Sequence, residues 1–364
     1  MKFRFPGRPQ PFHPGTATHY RKEMLLAVLA LALAFAFTFT NGFQDASAVA
    51  ATFIASRSAS PRQGIFLVSL LNFAGALLGG SAVALTVSGL LSLAPDQKMA
   101  WIAFLALFSA ASWNILTWRS GLPASSTHGL IGGLIGAAMA TAGVGSVSWG
   151  VEELLSPSPH LAGVVKVVLF LVLSVFLGFV GGYAMRRFSR LLLRNARLSI
   201  NRAIVRTNWA AAAAMAFSNG ANDAQKQMGM ILLVLLATGL AAGPVVPLWA
   251  RLGCATFMAA GTLSGGWRIM TTLGQRIFRI EPIHSLDSQV SSGAVIALST
   301  LAGAPVSSTH VISMSIIGVG VAENPLKVRW RVGTEILATM LVTIPATACI
   351  AALLNLALAP ILGG

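Results

Sequence analysis

Charged residues and cysteines are scarce in this sequence. Only 10% of the 364 residues are Asp, Glu, Lys or Arg, whereas a soluble domain has about 25%. Acidic side chains are the rarer charge, with 10 residues against 25 basic ones. The two cysteines, Cys254 and Cys349, both lie in apolar surroundings. The shortage argues against an ordinary soluble domain, a disulfide framework and a metal–thiolate site.

Apolar residues are abundant instead. They make up 55% of the chain, and the mean hydropathy is +0.76. Residues 24–40, 164–183 and 336–358 form long apolar stretches, each able to cross a hydrocarbon core of roughly 30 Å as a helix. Because lipid offers no hydrogen-bond partners to the backbone, the spans must be helical. The sequence therefore predicts an all-α polytopic membrane protein with the lipid bilayer as its surroundings.

The apolar spans predict about ten transmembrane crossings in two groups of five. Their approximate ranges are 24–56, 63–92, 98–118, 122–143, 163–185, 207–240, 247–273, 288–302, 304–321 and 332–358. Two of them, 122–143 and 304–321, are short and rich in glycine, which favours hairpin-like, re-entrant segments. Five crossings per half is an odd number, so the second half enters the membrane from the opposite side. The expected architecture is two inverted-topology repeats.

Basic residues are concentrated between the two groups of spans. The net charge is +15, and an arginine-rich stretch at 186–206 contributes much of it. Such a loop is expected on the cytoplasmic side, and no nucleic-acid-binding motif accompanies it. The predicted division is a basic, flexible tail at 1–23, a first transmembrane repeat at 24–185, a cytoplasmic linker at 186–206 and a second repeat at 207–364. This topology places both termini outside, although the N-terminal tail is basic.

Two polar motifs each occur twice, in the same order. Asn-Gly-x-[Gln/Asn]-Asp-Ala begins at Asn41 and again at Asn219, and Pro-x-Ser-Ser-Thr-His ends at His128 and again at His310. The aspartate of the first motif and the histidine of the second are 83 positions apart in one half and 87 in the other. Polar groups are costly in apolar spans unless they have a partner or a function. This duplication is typical of a secondary transporter.

The first motif brings amides, a glycine and a carboxylate into an apolar helix. We expect the motif to break that helix, so that freed carbonyls and the carboxylate form an oxygen cage for a cation or a proton site. The predicted residues of this coupling-ion site are Asp45, Asp223, Asn41 and Asn219. A structural role is the alternative, in which each carboxylate is bonded to a neighbouring helix. Lys226, one turn after Asp223, is a candidate counter-ion.

The second motif predicts the start of a helix, with proline in the first turn and Ser or Thr as the cap. A helix N-terminus has unpaired N–H groups and a partial positive charge, which suit an anion. The predicted anion-binding residues are Ser125, Ser126, Thr127, Ser307, Ser308 and Thr309, together with Gln44 and Asn222. The alternative is a capped helix on a tight turn. Further candidates for the transport pathway are His128, His310, Lys226 and Asn72.

These motifs resemble the signatures of the inorganic phosphate transporter family, Pit/PiT (PHO4), and the likeness extends from about residue 24 to 358. The family pattern is Gly-x-Asn-Asp-x-x-Asn in each half and Pro-x-Ser-[Ser/Thr]-[Thr/Ser]-His in the hairpins. The matching positions are Gly42, Asp45, Gly220, Asn222, Asp223, Ser125–His128 and Ser307–His310. Residues 113–114, 222–226 and 265–268 are most similar to the bacterial low-affinity branch. The resemblance implies a transporter in the cell membrane that imports inorganic phosphate, rather than an enzyme, and that uses no cofactor.

The resemblance also implies symport with protons or sodium ions. In the bacterial branch, phosphate often travels as a neutral metal–phosphate complex. The first signature departs from the pattern, because Gln44 and Ala48 stand where asparagines are usual, and Lys226 takes the second of these positions in the other half. Loss of an amide weakens a sodium cage, so the sequence favours protons.

Several alternatives stay open. They are a transporter of another oxyanion such as sulfate or arsenate, a passive anion channel, and an intramembrane hydrolase using Ser126 or Ser308 with a histidine. A homodimer is also compatible with the sequence. No nucleic acid and no resident metal site are expected.

Overall fold

The computed structural model describes residues 14–122, 124–241, 243–265 and 270–362, and this part of the chain is almost entirely helical. Its helices are α1 (Pro14–Ala55), α2 (Pro61–Leu78), α3 (Ala82–Ser88), α4 (Gln97–Ser120), α5 (Ser126–Ala142), α6 (Val151–Leu154), α7 (Gly163–Leu192), α8 (Asn201–Ala237), α9 (Leu248–Ser264), α10 (Pro282–Leu301), α11 (Ser308–Glu323) and α12 (Trp330–Leu362). A short π-helical segment, Thr272–Arg276, precedes α10. Residues 1–13 of the predicted tail, Pro123 of the second motif, and Gly266, Trp267 and Arg268 of the 265–268 stretch lie outside the described residues.

Five of the described helices are long and apolar enough to cross a membrane. They include Met24–Ala55 of α1 and Trp330–Pro360 of α12, together with α2, α4 and α7. Helices α5 and α11 have only 17 and 16 residues, which gives each a length of about 25 Å. Helix α8 carries the polar first motif, which lowers its hydropathy. The prediction of an all-α membrane protein is confirmed, and the ten crossings and the inverted repeats stay predictions.

The first motif does not break its helix in either half. Helices α1 and α8 both continue through it without interruption, so the predicted break is wrong. The motif's glycines instead allow close packing, since a Cβ on Gly42 would lie 2.3 Å from the Met258 carbonyl oxygen, and one on Gly220 would lie 2.2 Å from that of Asn72. The helical break in the predicted span 63–92 comes after Leu78, between α2 and α3.

Several other helix boundaries differ from the expected spans. Helix α1 begins at Pro14, so residues 14–23 of the predicted flexible tail are helical. Helix α10 begins at Pro282 rather than near 288, because Pro282 occupies its first turn and Glu281 and His284 form a capping box. Helix α7 continues to Leu192. Helix α8 begins at Asn201. The first third and the last six residues of the predicted 186–206 linker are therefore helical.

Helices α5 and α11 lie at the centre of the arrangement. Helix α5 packs against α4 and α12, and α11 packs against α10 and α7. Each forms a helical hairpin with the helix before it, and the N-terminal ends of α5 and α11 meet in the interior. There the Thr127 hydroxyl donates to the Val306 carbonyl at 2.9 Å, and the His128 and His310 rings are 5.2 Å apart. We call the N-terminal ends of α5 (Ser125–His128) and α11 (Ser307–His310) the hairpin tips.

Candidate functional site

Each hairpin tip begins with a capped helix, as the second motif predicts. The Ser125 side chain accepts a hydrogen bond from the His128 N–H at 3.1 Å. The Ser307 side chain accepts one from the His310 N–H at 3.4 Å. All four residues are buried, so the tips present their positive helix ends inside the protein.

Asp45, on α1, binds both hairpin tips. Its Oδ2 atom accepts a short hydrogen bond from the Ser126 hydroxyl, and its Oδ1 atom accepts one from the Thr309 hydroxyl at 2.6 Å. The residue is only 2% exposed. One carboxylate therefore links α1 to α5 and to α11.

Asp223, on α8, forms a buried ion pair. Its Oδ2 atom accepts from the Ser308 hydroxyl at 2.9 Å, and its Oδ1 atom lies 2.5 Å from the Lys226 ammonium. Lys226 also donates to the Thr127 hydroxyl at 2.5 Å and to the Val306 carbonyl at 2.6 Å. The expected counter-ion is present, and it contacts the α5 tip at Thr127 and the residue just before the α11 tip, Val306.

Gln44 and Asn222 hold the loops that lead into the hairpin tips. The Gln44 amide donates to the Ala124 carbonyl at 3.2 Å, and the Asn222 amide donates to the Ala304 carbonyl at 3.1 Å. Asn222 also accepts from the Val306 N–H at 3.3 Å. These amide N–H groups are thus engaged by the loops, whereas the Gln44 side-chain oxygen has no hydrogen-bond partner among the described residues.

The remaining amides differ between the halves. Asn219 donates to the Asn72 side-chain oxygen at 3.2 Å, so two predicted residues pair with each other. Asn41 is fully buried, and neither its oxygen nor its nitrogen has a hydrogen-bond partner within the described parts of the chain. An unpaired buried amide is costly, so Asn41 is a candidate for binding a ligand.

The histidines do not form the pairs that a hydrolase would need. His310 Nδ1 lies 2.8 Å from the hydroxyl of Ser307, the cap residue. Ser126 and Ser308 donate to the two aspartates instead, and His128 Nδ1 has no hydrogen-bond partner among the described residues. The arrangement does not support the hydrolase alternative.

Two threonines of the site were missed by the sequence analysis. Thr117 lies 3.5 Å from the Gln44 amide, and Thr300 lies 2.9 Å from the Asn222 amide. They stand nine and eight positions before the first helical serine of each tip, Ser126 and Ser308. A threonine at nearly the same distance before each tip was the sequence signal that could have identified them.

Comparisons with known proteins identify the family of the chain. The phosphate transporter family (PHO4) matches residues 41–208 and 195–351. A probable low-affinity inorganic phosphate transporter of Bacillus subtilis (strain 168) is 32% identical over 332 residues, which cover 91% of this chain and 96% of that protein. One from Rhizobium meliloti (strain 1021) is 34% identical over 316 residues, covering 86% and 90%.

A solved structure has the same fold. It is described as the sodium-dependent phosphate transporter, with a TM-score of 0.82 and 21% identity, covering 93% of this chain and all of that one. The matches to the family and to its bacterial members span both motifs in both halves. The chain belongs to the phosphate transporter family.

Proposed function

We propose that this chain is a secondary active transporter that imports inorganic phosphate by symport with protons or sodium ions. The observation that carries the proposal is the meeting of the two hairpin tips beside Asp45 and Asp223 in the buried interior. Two helix N-termini that face one site attract an anion. Two carboxylates at the same place provide binding groups for a cation.

The hairpin tips offer neutral donors for phosphate oxygens. A helix leaves its first N–H groups without internal partners, and the cap serines occupy only those of His128 and His310. The tip hydroxyls add further O–H donors. We place phosphate between the two tips, in contact with these N–H and O–H groups.

The hydrogen bonds around Asp45 provide a physical basis for coupling. A hydroxyl has one O–H to donate, and those of Ser126 and Thr309 are given to Asp45. Phosphate can receive them only when the carboxylate no longer holds them. A proton or sodium ion at Asp45 neutralises the carboxylate, which weakens both hydrogen bonds and frees the donors to turn to phosphate. Cation binding thereby prepares the anion site.

The membrane potential makes such coupling necessary. Phosphate at neutral pH is a mono- or dianion, and a negative interior opposes its entry by about 2.3 kcal/mol per charge per 100 mV. A cation that accompanies it offsets this cost. Transport as a neutral metal–phosphate complex is the second form of cargo that the proposal includes, with the metal brought by phosphate. The described residues form no cluster of three or more His, Cys, Asp or Glu that could hold a metal ion.

Uptake of radiolabelled phosphate into proteoliposomes tests the proposal. With a pH gradient and a sodium gradient imposed separately, the native protein should accumulate phosphate in at least one case, and Asp45→Asn should not. Ser126→Ala should raise the apparent KM by up to roughly tenfold, because one neutral hydrogen bond contributes about 0.5–1.5 kcal/mol. Ser313→Ala is the matched control, since this buried serine of α11 bonds the Thr309 carbonyl of its own helix, and its kinetics should be unchanged.

Competition identifies the anion. Unlabelled phosphate, arsenate and sulfate are added in turn to the same uptake assay. Stronger inhibition by sulfate than by phosphate would contradict the phosphate assignment. Concentrative uptake by Asp45→Asn at the native level would contradict the coupling role.

A further inference from the structure

The Asp45 carboxylate has a hydroxyl partner in each hairpin tip. Asp45 accepts one hydroxyl from the tip of its own half, Ser126, and one from the tip of the other half, Thr309. Both contacts are made directly by the carboxylate. No lysine or arginine is among its hydrogen-bond or ion-pair partners within the described residues.

The Asp223 carboxylate has a hydroxyl partner in only one of the two tips. Asp223 accepts from the tip of its own half through Ser308. The corresponding hydroxyl of the other tip, Thr127, is bonded to Lys226 instead. The Lys226 ammonium lies 2.5 Å from both Thr127 Oγ1 and Asp223 Oδ1. A cation therefore stands where the first half has a direct bond between hydroxyl and carboxylate.

The residue three positions after the aspartate differs between the two halves. Lys226 lies three residues after Asp223, and the residue three after Asp45 is Ala48. In the same motif as Asp45, the side-chain oxygens of Asn41 and Gln44 have no hydrogen-bond partners in the described structure. Asn41 lies one helical turn before Asp45, on the same face of α1. The first half thus has free oxygen ligands and no cation of its own.

We propose that Lys226 is a built-in cation that permanently fills one of two matched cation positions, so that the transported proton or sodium ion binds only beside Asp45. This inference rests on the proposed transport function and concerns its stoichiometry. Asn41 and Gln44 supply oxygen ligands at the Asp45 position.

The reason is the cost of a buried charge. A carboxylate removed from water needs a compensating cation or must become neutral. Lys226 compensates Asp223 throughout the cycle, because it is attached to the same helix. Asp45 has only hydroxyl donors and must take its cation from solution. One cation per cycle is then coupled through these two carboxylates.

Lys226→Asn should open the second position to a solution cation. With the membrane potential held at zero and a tenfold cation gradient imposed, each extra coupled cation raises the limiting phosphate accumulation by up to about tenfold, since a factor of ten corresponds to about 1.4 kcal/mol. The limit is measured with radiolabelled inorganic phosphate in proteoliposomes, once with a pH gradient and once with a sodium gradient. The gradient that raises the accumulation limit identifies the coupled cation.

Lys166→Asn is the matched control. It removes a lysine of α7 whose ammonium lies 3.5 Å from the hydroxyl of Thr86, a residue of α3 outside both motifs. Its limiting accumulation should equal that of the native protein. A Lys226→Asn protein that transports phosphate but reaches only the native limit would overturn the inference.

Ala48→Lys provides the reciprocal test if Lys226→Asn is inactive. A second tethered ammonium at this position should fill the Asp45 site, so that phosphate exchange continues while gradient-driven accumulation is lost. Concentrative uptake by Ala48→Lys at the native level would refute the inference. Equilibrium phosphate exchange by the native protein is measured in the same vesicles. Its absence would refute phosphate transport itself, which keeps the two failures distinct.

Discussion

Two polar clusters each tie a hairpin to the long helix packed along it, and they do so with different chemistry. We call the first the neutral cluster, formed by Trp101 of α4, Thr141 of α5 and Asn355 of α12. The Asn355 side-chain oxygen accepts from the Trp101 indole at 2.8 Å and from the Thr141 hydroxyl at 3.2 Å. Its amide donates to the Ala140 carbonyl at 3.1 Å.

The ionic cluster does the same for the other hairpin. It consists of Asp287 of α10, Glu323 of α11 and Arg186 of α7. One Arg186 nitrogen lies 3.5 Å from Asp287 Oδ2 and another lies 2.6 Å from Glu323 Oε2. Arg190 adds a contact to Glu323 at 3.0 Å, and Ser189 donates to Asp287 at 2.5 Å.

The clusters occupy equivalent places. Thr141 and Glu323 each lie 15 positions after the first helical serine of their hairpin tip, and Trp101 and Asp287 lie near the starts of α4 and α10. The ionic cluster borders the basic 186–206 stretch, where water and lipid headgroups are expected. The comparison teaches that the fold needs a polar link at this place, whereas its charge depends on the local surroundings.

Arg186→Leu should have the largest effect. It leaves the fully buried Asp287 carboxylate without its cation, and removing one partner of a buried ion pair typically costs about 3–5 kcal/mol. The purified protein in detergent should show a clearly lower thermal unfolding midpoint. Arg186→Leu combined with Asp287→Leu should recover much of the loss. Equal midpoints for the single and double variants would contradict an ion-pair origin.

Asn355→Leu should have an intermediate effect. It leaves the buried Trp101 N–H without its partner, which costs about 1–3 kcal/mol, and it removes the bonds to the less buried Thr141 hydroxyl and Ala140 carbonyl. Thermal unfolding is again the measurement, and the loss should not change with salt concentration. Leu353→Ala is the control on the same helix, because Leu353 is 65% exposed. A loss as large as that of Arg186→Leu would remove the distinction between the clusters.

Arg190→Gln should have the smallest effect. The Arg190 side chain is 44% exposed, and an ion pair at such a site contributes about 0–1 kcal/mol. Any change in the unfolding midpoint should shrink at high ionic strength, since exposed charges are screened. Arg331→Gln, which removes the exposed pair with Glu335, is the control for general surface charge. A large, salt-independent loss for Arg190→Gln would show that the ionic cluster extends further than Arg186.

The fold class and the capped helix starts of the second motif could be predicted because their signals are local. Long apolar runs predict membrane helices. The second motif predicts a capped helix start, and Ser125 and Ser307 are the caps. The role of Gly42 could not be predicted in this way. Its meaning depends on Met258 of α9, a distant residue whose carbonyl approaches it. Whether a glycine breaks a helix or allows close packing can be decided only when the residue packed against it is known.

The partners within the site were also beyond local reasoning. Lys226 was expected beside Asp223 from their spacing on one helix, but its bond to Thr127 joins residues 99 positions apart. The pairing of Asn219 with Asn72 likewise crosses between helices. Such contacts follow from how helices pack, which the periodicity of either helix alone does not specify.

The glycine contacts between helices also decide which parts of the protein can slide past one another. A Cβ on Gly75 of α2 would lie 2.0 Å from a carbonyl of α8, and one on Gly261 of α9 would lie 2.1 Å from a carbonyl of α1. Gly136 of α5 and Gly318 of α11 make contacts of the same kind with α12 and α7, at 2.3 and 2.1 Å. A shift by one residue would drive a side chain into the opposing backbone, so these four helix pairs should move as rigid bodies.

Relative motion is therefore expected at seams between these rigid bodies, such as that of α1 with the hairpin tips. The hydrogen bonds of Asp45 run from α1 to both tips. The carboxylate that we propose as the cation site thus lies across this seam, where relative motion of α1 and the tips would break its hydrogen bonds.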